Sequence, residues 1–225
     1  MLSAAQELLE QEIPGVKRAG QKRSKLLQDK FVKAGRKVLL KTRLDDLSVP
    51  ALAEAAGSSV GGFYSRFDSK EAFFEFLRLQ MLGEHSQLYN ESLTPSRFAG
   101  KTAEHVTEAF VDVMLKVFSG PWRGVLREAY SVIPERPESW APMKAQGQYV
   151  RALILELYHP RVAAPEGLDE RVSIAVQLLF SALNNEMMNP NLAFSIDDPK
   201  FRSYLIAAFS ALVLGDTPKP ENLIP

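Results

Sequence analysis

Two short helical segments between residues 48 and 74 have to cross within very few residues, in the stretch SVPALAEAAGSSVGGFYSRFDSKEAFF. A near-perpendicular crossing needs a small residue on the first helix, a turn residue that can take positive φ and a large apolar anchor on the second helix. Ala53, Gly57 and Phe63 supply these three in order, at relative positions 0, +4 and +10. The spacing predicts a helix-turn-helix, and the alternative is a chance helical hairpin without DNA contact.

Gly61 and Gly62 lie inside the predicted second helix, residues 59–66. Each glycine in a helix interior costs about 1 kcal/mol relative to alanine, so we expect another molecule to approach this backbone closely, as a DNA major groove would. Tyr64 would then present its hydroxyl at the height of a phosphate, and Lys70 would meet a phosphate near the start of the next helix. The plainer alternatives are a half-buried Tyr64 and a solvated Lys70.

Positive charge is concentrated near the start of the chain. Residues 13–44 contain 11 Lys and Arg against one acid, Asp29, a local charge of +10 (11 − 1) in a chain whose net charge is zero. Such a segregation favours a polyanionic partner for one end of the protein. The alternative is a basic helix surface that only meets solvent.

Helical periodicity continues along the chain, and glycine and proline separate the segments. Because no strand-like alternation appears between turn signals, we expect an all-α fold of about nine to ten helices. The segments divide into a flexible basic N-terminal arm (1–23), a three-helix helix-turn-helix domain (24–70), a connecting helix (68–91) and a larger C-terminal helical domain (95–225).

Several classes of protein are not expected from this composition. The chain has no cysteine, which excludes a disulfide framework, a Cys-ligated zinc site and a thiol nucleophile. The start lacks the pattern of a signal peptide, and no run of about 18 apolar residues occurs, so we expect a cytoplasmic protein without membrane contact. His105 and Glu108 share a helix face, but two ligands do not make a metal site. We expect no metal, no cofactor and, since catalytic motifs are absent, no enzyme.

The helix-turn-helix stretch resembles the DNA-binding segment of the TetR family of bacterial one-component repressors. The resemblance covers about residues 24 to 80, and the rest of the chain agrees only in helical character and length. The matching residues are Ser48, Val49, Ala53, Ala56, Gly57, Ser59, Gly61, Phe63, Tyr64, Phe67, Ser69, Lys70 and Glu71.

Four positions depart from the family pattern. Ser58 replaces an apolar residue of the turn, and Gly62 replaces a hydroxyl residue that often reads a base or phosphate. Arg43 stands where the family usually has a glycine, and Arg66 replaces an aromatic residue or histidine. The corner after the first helix and the sequence preference are therefore expected to differ from the family.

The resemblance implies contact with a double-stranded DNA operator. Base readout would then depend on Ser59, Ser65, the Val60 side chain, which can meet a thymine methyl, and Arg66, which could contact a guanine or a phosphate. The basic arm could add salt-dependent backbone or minor-groove contacts, or be a tail without a role. Its basic residues are Lys17, Arg18, Lys22, Arg23 and Lys25. The residues predicted to contact DNA are Ser48, Ser59, Val60, Gly61, Gly62, Tyr64, Ser65, Arg66, Lys70, Lys22 and Arg23.

The resemblance also implies that the C-terminal domain binds a small-molecule effector and forms a homodimer. The predicted helices 168–188 and 199–214 are apolar on more than one face, so they need cover from a second subunit or from the chain's own core. Predicted dimer contacts are Leu178, Ala182, Asn185, Tyr204, Ala208 and Leu212. Residues that could line an effector pocket, or be ordinary core, are Phe110, Met114, Phe118, Trp122, Leu126, Tyr130, Trp140 and Met143.

Two functions remain at this point. The first is a ligand-responsive transcriptional regulator, most simply a homodimeric repressor that its effector releases from the operator. The second is a helical small-molecule-binding or scaffold protein whose DNA binding has decayed, as Gly62 and Arg43 would indicate.

Overall fold

The computed structural model describes residues 13–20, 22–131, 140–163, 166–189 and 193–215. These residues form nine α-helices and two short 3-10 turns, Pro95–Phe98 and His159–Arg161. The helices are α1 (Lys22–Leu39), α2 (Val49–Ala55), α3 (Val60–Tyr64), α4 (Lys70–Ser92), α5 (Ala103–Ser119), α6 (Arg123–Ser131), α7 (Ala141–Tyr158), α8 (Leu168–Met188) and α9 (Pro199–Leu214).

The all-α prediction is confirmed. In the described part of the chain, extended pairing is limited to one isolated antiparallel bridge, between Val16 and Phe67. No helix among the described residues has the length and apolar character that a membrane crossing requires.

The chain divides into two compact units. Unit 1 contains Met1–Gln87 and Gly120–Gln146, and unit 2 contains Leu88–Ser119 and Gly147–Pro225. Helix α6 therefore belongs to the same unit as the helix-turn-helix, whereas the sequence assigned it to the C-terminal domain. Helices α4 and α7 have residues in both units. The predicted division of functions between the domains stays a prediction.

Local capping explains where the N-terminal helices begin. Helix α1 begins at Lys22, two residues before its expected start, so Lys22 and Arg23 lie in its first turn rather than in a flexible arm. Helix α3 is shorter than predicted, with Ser59 as its N-cap and Ser65 as its C-cap. The Ser69 hydroxyl accepts from the Ala72 amide at 3.1 Å, so Ser69 caps α4.

The core of unit 1 is an aromatic cluster. The ring of Phe63 lies 5.4 Å from that of Phe31 and 5.7 Å from that of Phe73, both edge to face. Phe67 packs 4.9 Å from Phe73. All four side chains are fully buried, so α1, α3 and α4 are held together by the pairs that aromatic rings favour.

In unit 2, α9 packs against α5 and α8. The Phe110 and Phe209 rings lie 5.3 Å apart, and Thr107 shares a buried hydrogen bond with the hydroxyl of Tyr158. Burial raises the pKa of Tyr158, so its hydroxyl stays protonated and available to this bond.

Candidate nucleic-acid interface

The crossing of α2 and α3 has the three features that the sequence pattern requires. Ala53 is buried on α2, where the second helix crosses it, and Phe63 of α3 is fully buried. Gly57 in the turn has φ of +57°, a conformation that residues with a Cβ rarely adopt. The Ser48 hydroxyl accepts from the Ala51 amide at 3.3 Å and caps α2.

Much of α3 beside the buried Phe63 meets solvent. Val60 is 39% exposed and Tyr64 is 47% exposed, although both are large apolar side chains on a helix of five residues. Their neighbour Phe63 is buried, so the helix presents one face to the core and the other outward. These are the side chains from which the sequence predicts contact with a base and a phosphate.

The serine hydroxyls of this helix are also used within the protein. The Ser59 hydroxyl accepts from the Gly62 amide at 3.0 Å, and the Ser65 hydroxyl donates to the Gly62 carbonyl at 2.7 Å. A hydroxyl has further lone pairs, so both serines can stabilise α3 and still face a ligand.

The protein's own packing explains little of the paired glycines. A Cβ at Gly61 would have as its nearest neighbour the Ser59 hydroxyl, at 3.8 Å. A Cβ at Gly62 would lie 2.5 Å from the Ser58 hydroxyl, the end of a side chain that can rotate away. Since neither glycine is needed against backbone, their cost to helix stability fits the expectation that an outside molecule approaches this surface.

Two of the predicted contact residues make hydrogen bonds within the protein. The Lys70 ammonium donates to the carbonyls of Leu44 and Asp45 at 3.2 and 3.0 Å. The Arg66 guanidinium donates to the Ser65 carbonyl at 2.7 Å. Lys70 therefore holds the loop between α1 and α2, a structural role that its sequence position did not indicate.

Residues 31–77 match the family model described as bacterial regulatory proteins, tetR family. The chain carries the N-terminal domain of the TetR family. The match contains α2, the turn and α3 entirely, together with the buried part of α1 and the first part of α4.

Solved structures resemble the whole fold at low sequence identity. A TetR-family transcriptional regulator from Mesorhizobium loti MAFF303099 has a TM-score of 0.63 at 15% identity, covering 86% of this chain and 98% of that one. A TetR-family regulator from Rhodococcus has 0.61 at 14%, covering 83% and 98%. NalD of Pseudomonas aeruginosa, the secondary repressor of the MexAB-OprM multidrug efflux pump, has 0.53 at 18%, covering 88% and 100%. No curated protein sequence matches the chain.

Residues 13–18, called the strap from here on, lie against the C-terminal end of α3. The Lys17 amide donates to the Arg66 carbonyl at 2.8 Å, and the Asp68 amide donates to the Gly15 carbonyl at 2.8 Å. The Lys17 ammonium donates to the Tyr64 carbonyl at 2.8 Å and pairs with the Asp68 carboxylate at 3.1 Å. The sequence predicted a flexible arm here, with Pro14, Gly15 and Gly20 as breakers of regular structure.

Helix α6 holds the C-terminal end of α1. The Arg127 guanidinium donates to the carbonyls of Leu39 and Thr42, both at 2.9 Å. The buried Glu128 carboxylate accepts from the Leu44 amide at 2.9 Å and pairs with Arg43 at 3.4 Å. Arg43, the departure from the TetR pattern, thus meets a buried acid on α6. We call this group of contacts the α6 clamp.

The clamp continues through a tryptophan. Trp122 is buried, and its indole N–H donates to the Glu84 carboxylate at 2.6 Å. The Arg36 guanidinium lies 4.4 Å from the centre of the Trp122 ring, in cation–π contact. Next to Glu84, burial and, to a smaller degree, the charge of Arg36 lower the pKa of His85 to about 4.

The predicted effector-pocket residues fall in both units. Phe110, Met114 and Phe118 are buried in unit 2. Trp122, Leu126, Tyr130, Trp140 and Met143 belong to unit 1. The Tyr130 and Trp140 rings lie 5.7 Å apart. The ring contacts made by these residues lie within single units. The effector pocket that the residues were predicted to line stays a prediction.

A cleft of about 500 Å³ lies elsewhere, in unit 1. Its walls are the strap, α1 and α4, and its lining includes Lys25, Lys33 and Phe76. In the described part of the chain, no group of three or more His, Asp or Glu side chains could hold a metal ion.

The predicted dimer residues lie on α8 and α9 of unit 2. Leu178 is 49% exposed and Tyr204 is 62% exposed. Asn185 and Ala208 are exposed as well, and Ala182 and Leu212 are half-buried. The two helices therefore present large apolar side chains to solvent in the single chain.

Proposed function

We propose that this protein is a homodimeric repressor of transcription that binds operator DNA through α3 and is released by a small-molecule effector. The observation that carries the proposal is the exposed face of α3, with Val60 and Tyr64 outward and Phe63 buried in the core. A helix-turn-helix dimer binds two half-sites about 34–36 Å apart. The match to the TetR domain and the fold support the coarser part of the proposal, a DNA-binding regulator.

Exposed positive charge on α1 also supports DNA binding. Lys22 and Arg23 are exposed in the first turn of α1. Cations in the first turn oppose the helix dipole, so they weaken an isolated helix slightly. A phosphate backbone nearby would compensate for that cost, because each neutralised phosphate releases counterions.

The homodimer is supported by the exposed apolar face of α8 and α9. Leu178 and Tyr204 would be covered by the same helices of a second copy, in an isologous two-fold interface. Repression is supported by NalD, a repressor by its own description. Effector binding would act by favouring a dimer whose recognition helices no longer fit the two half-sites.

DNA binding is tested by fluorescence anisotropy with the DNA upstream of the protein's own gene, at two salt concentrations. We expect saturable binding that resists competitor DNA. Tyr64→Phe removes only the hydroxyl and should weaken it about 3- to 10-fold, the loss of one phosphate hydrogen bond. Lys22→Ala removes a predicted phosphate contact and should also weaken binding. Lys116→Ala, at an exposed lysine of α5 in unit 2, is its control. Lys70→Ala is unsuitable, since it also releases the α1–α2 loop.

Other outcomes would overturn the proposal. Binding that is weak, disappears in moderate salt and ignores Tyr64→Phe would mean that only the basic residues touch DNA. The decayed regulator would then be the better account. A monomer by light scattering at micromolar concentration would remove the dimer from the proposal.

A further inference from the structure

Helix α3 cannot hold its own position. It has five residues, two of which are glycine, and isolated helices shorter than about 12 residues are marginal in water. Ser59 caps its start through the Gly62 amide. At its other end the Gly61, Gly62 and Phe63 carbonyls accept from residues 65–67, which leaves the carbonyl of Tyr64, the last residue of the helix. Support for that end has to come from outside the helix.

The strap provides this support. The Tyr64 carbonyl, at the last residue of α3, accepts from the Lys17 ammonium at 2.8 Å. Just beyond the helix, the Arg66 carbonyl accepts from the Lys17 amide. A cation at a helix C-terminus is also favoured by the helix dipole. Lys17 thus holds the end of α3 with its backbone and its side chain at once.

Gly15 lets the strap reach this position. It has φ of +75°, and a Cβ there would lie 2.8 Å from the Ala72 Cβ on α4. Its carbonyl accepts from the Asp68 amide at 2.8 Å, and the next residue, Val16, pairs with Phe67. The nearby Gly20 does not have a positive φ, and a Cβ added there would meet no atom within 4 Å. The two glycines therefore form a matched pair, of which only Gly15 is required.

We propose that the strap is a positioning element for the recognition helix. Lys17 acts on DNA affinity by fixing the end of α3, and not by neutralising a phosphate. The inference rests on the proposed function for its effect on DNA, while its effect on α3 itself is independent of DNA.

The test compares Lys17→Met with Lys22→Met in two measurements. The first is the dissociation constant for operator DNA over a series of salt concentrations. Lys17→Met should raise it about tenfold and leave the salt dependence unchanged. Lys22→Met removes a phosphate contact. It should reduce the magnitude of the slope of log association constant against log [salt] by about 1. Gly15→Ala should act like Lys17→Met, and Gly20→Ala should have no effect.

The second measurement is native-state hydrogen exchange without DNA. Exchange at the Ser65 and Phe67 amides, which donate to the Gly61 and Phe63 carbonyls, should accelerate about tenfold in Lys17→Met. A thermal unfolding scan checks that Lys17→Met is folded. The Lys17→Met comparison remains informative even if Gly15→Ala does not fold.

The results separate the two ideas. Unchanged exchange in Lys17→Met overturns the strap proposal, whatever the DNA data show. If Lys17→Met exchanges faster but the wild-type protein binds no operator, the strap proposal holds and the proposed function is overturned. A lower salt slope with unchanged exchange would make Lys17 an ordinary phosphate contact.

Discussion

Two groups of contacts hold the helix-turn-helix in place, the α6 clamp and the strap, and they differ in how deeply their side chains are buried. The α6 clamp holds the end of α1 through Glu128, whose side chain is 3% exposed, and through a backbone approach at Gly124. The strap holds the end of α3 through Lys17 and Asp68, whose side chains are 51% and 60% exposed. A buried charge must keep its partners, whereas an exposed pair adds little stability. The clamp should therefore matter for folding and the strap for the placement of one helix.

The largest expected effect is at the centre of the clamp. Glu128→Ala removes the buried partner of Arg43, Arg127 and the Leu44 amide. A hydrogen bond to a charged group contributes about 1.5–3 kcal/mol. Because the buried Leu44 amide loses its acceptor while the arginines keep other partners, we expect a loss of about 3 kcal/mol, which urea unfolding will measure. Glu54→Ala, at an exposed acid of α2, should change stability by less than about 0.5 kcal/mol. Equal effects of the two variants would remove the distinction between buried and exposed fastenings.

Acid should lower the stability of the folded protein through the buried His85. Its pKa is about 4 in the folded protein and 6.5 in the unfolded chain, so below pH 6.5 the unfolded state binds more protons. Stability is then lost as the pH falls from about 6.5 to 4, by about 3 kcal/mol in total. His85→Gln should abolish this part of the pH dependence, and His159→Gln, at an exposed histidine, should keep it. Parallel pH profiles for wild type and His85→Gln would contradict the assignment.

A smaller loss is expected where the clamp brings two backbones together. A Cβ at Gly124 would clash with the Leu39 carbonyl and lie 2.6 Å from the Leu40 nitrogen. Gly124→Ala should cost about 1–3 kcal/mol, as overpacking usually does. Gly147→Ala on α7 meets nothing within 4 Å and should gain up to about 1 kcal/mol from helix propensity. Thermal unfolding of both variants tests the contrast, which a stable Gly124→Ala would refute.

The smallest change in stability is expected in the strap. Lys17→Met should lower the free energy of unfolding by at most about 1 kcal/mol. The difference should shrink at 1 M salt, where the screening length is about 3 Å. Asp68→Asn should give a similar loss, and the double variant should lose less than the sum. If the free energy of unfolding fell by more than about 2 kcal/mol, the strap would contribute to overall stability as the clamp does.

Local spacing allowed the recognition element to be predicted, but not its fastenings. The roles of Ala53, Gly57 and Phe63 depend on neighbours within about ten residues, so their spacing is visible in the sequence. The Lys17–Tyr64 contact joins residues 47 apart, and the Arg127–Leu39 contact joins residues 88 apart. Such contacts depend on how helices pack, and no periodicity records them. For the same reason the hydrogen bonds from the Lys70 ammonium to two backbone carbonyls were not predicted, and its contact with a phosphate stays a prediction.

The position of the strap has a practical consequence. Whatever is fused before residue 13 is led by residues 13–18 to the end of the recognition helix, since the Gly15 carbonyl and the Lys17 amide are bound there. A fluorescent protein joined directly to residue 13 would begin beside the C-terminal end of α3. Purification tags should be cleaved before affinity is measured, and a reporter dye attached there would sense the state of α3 directly.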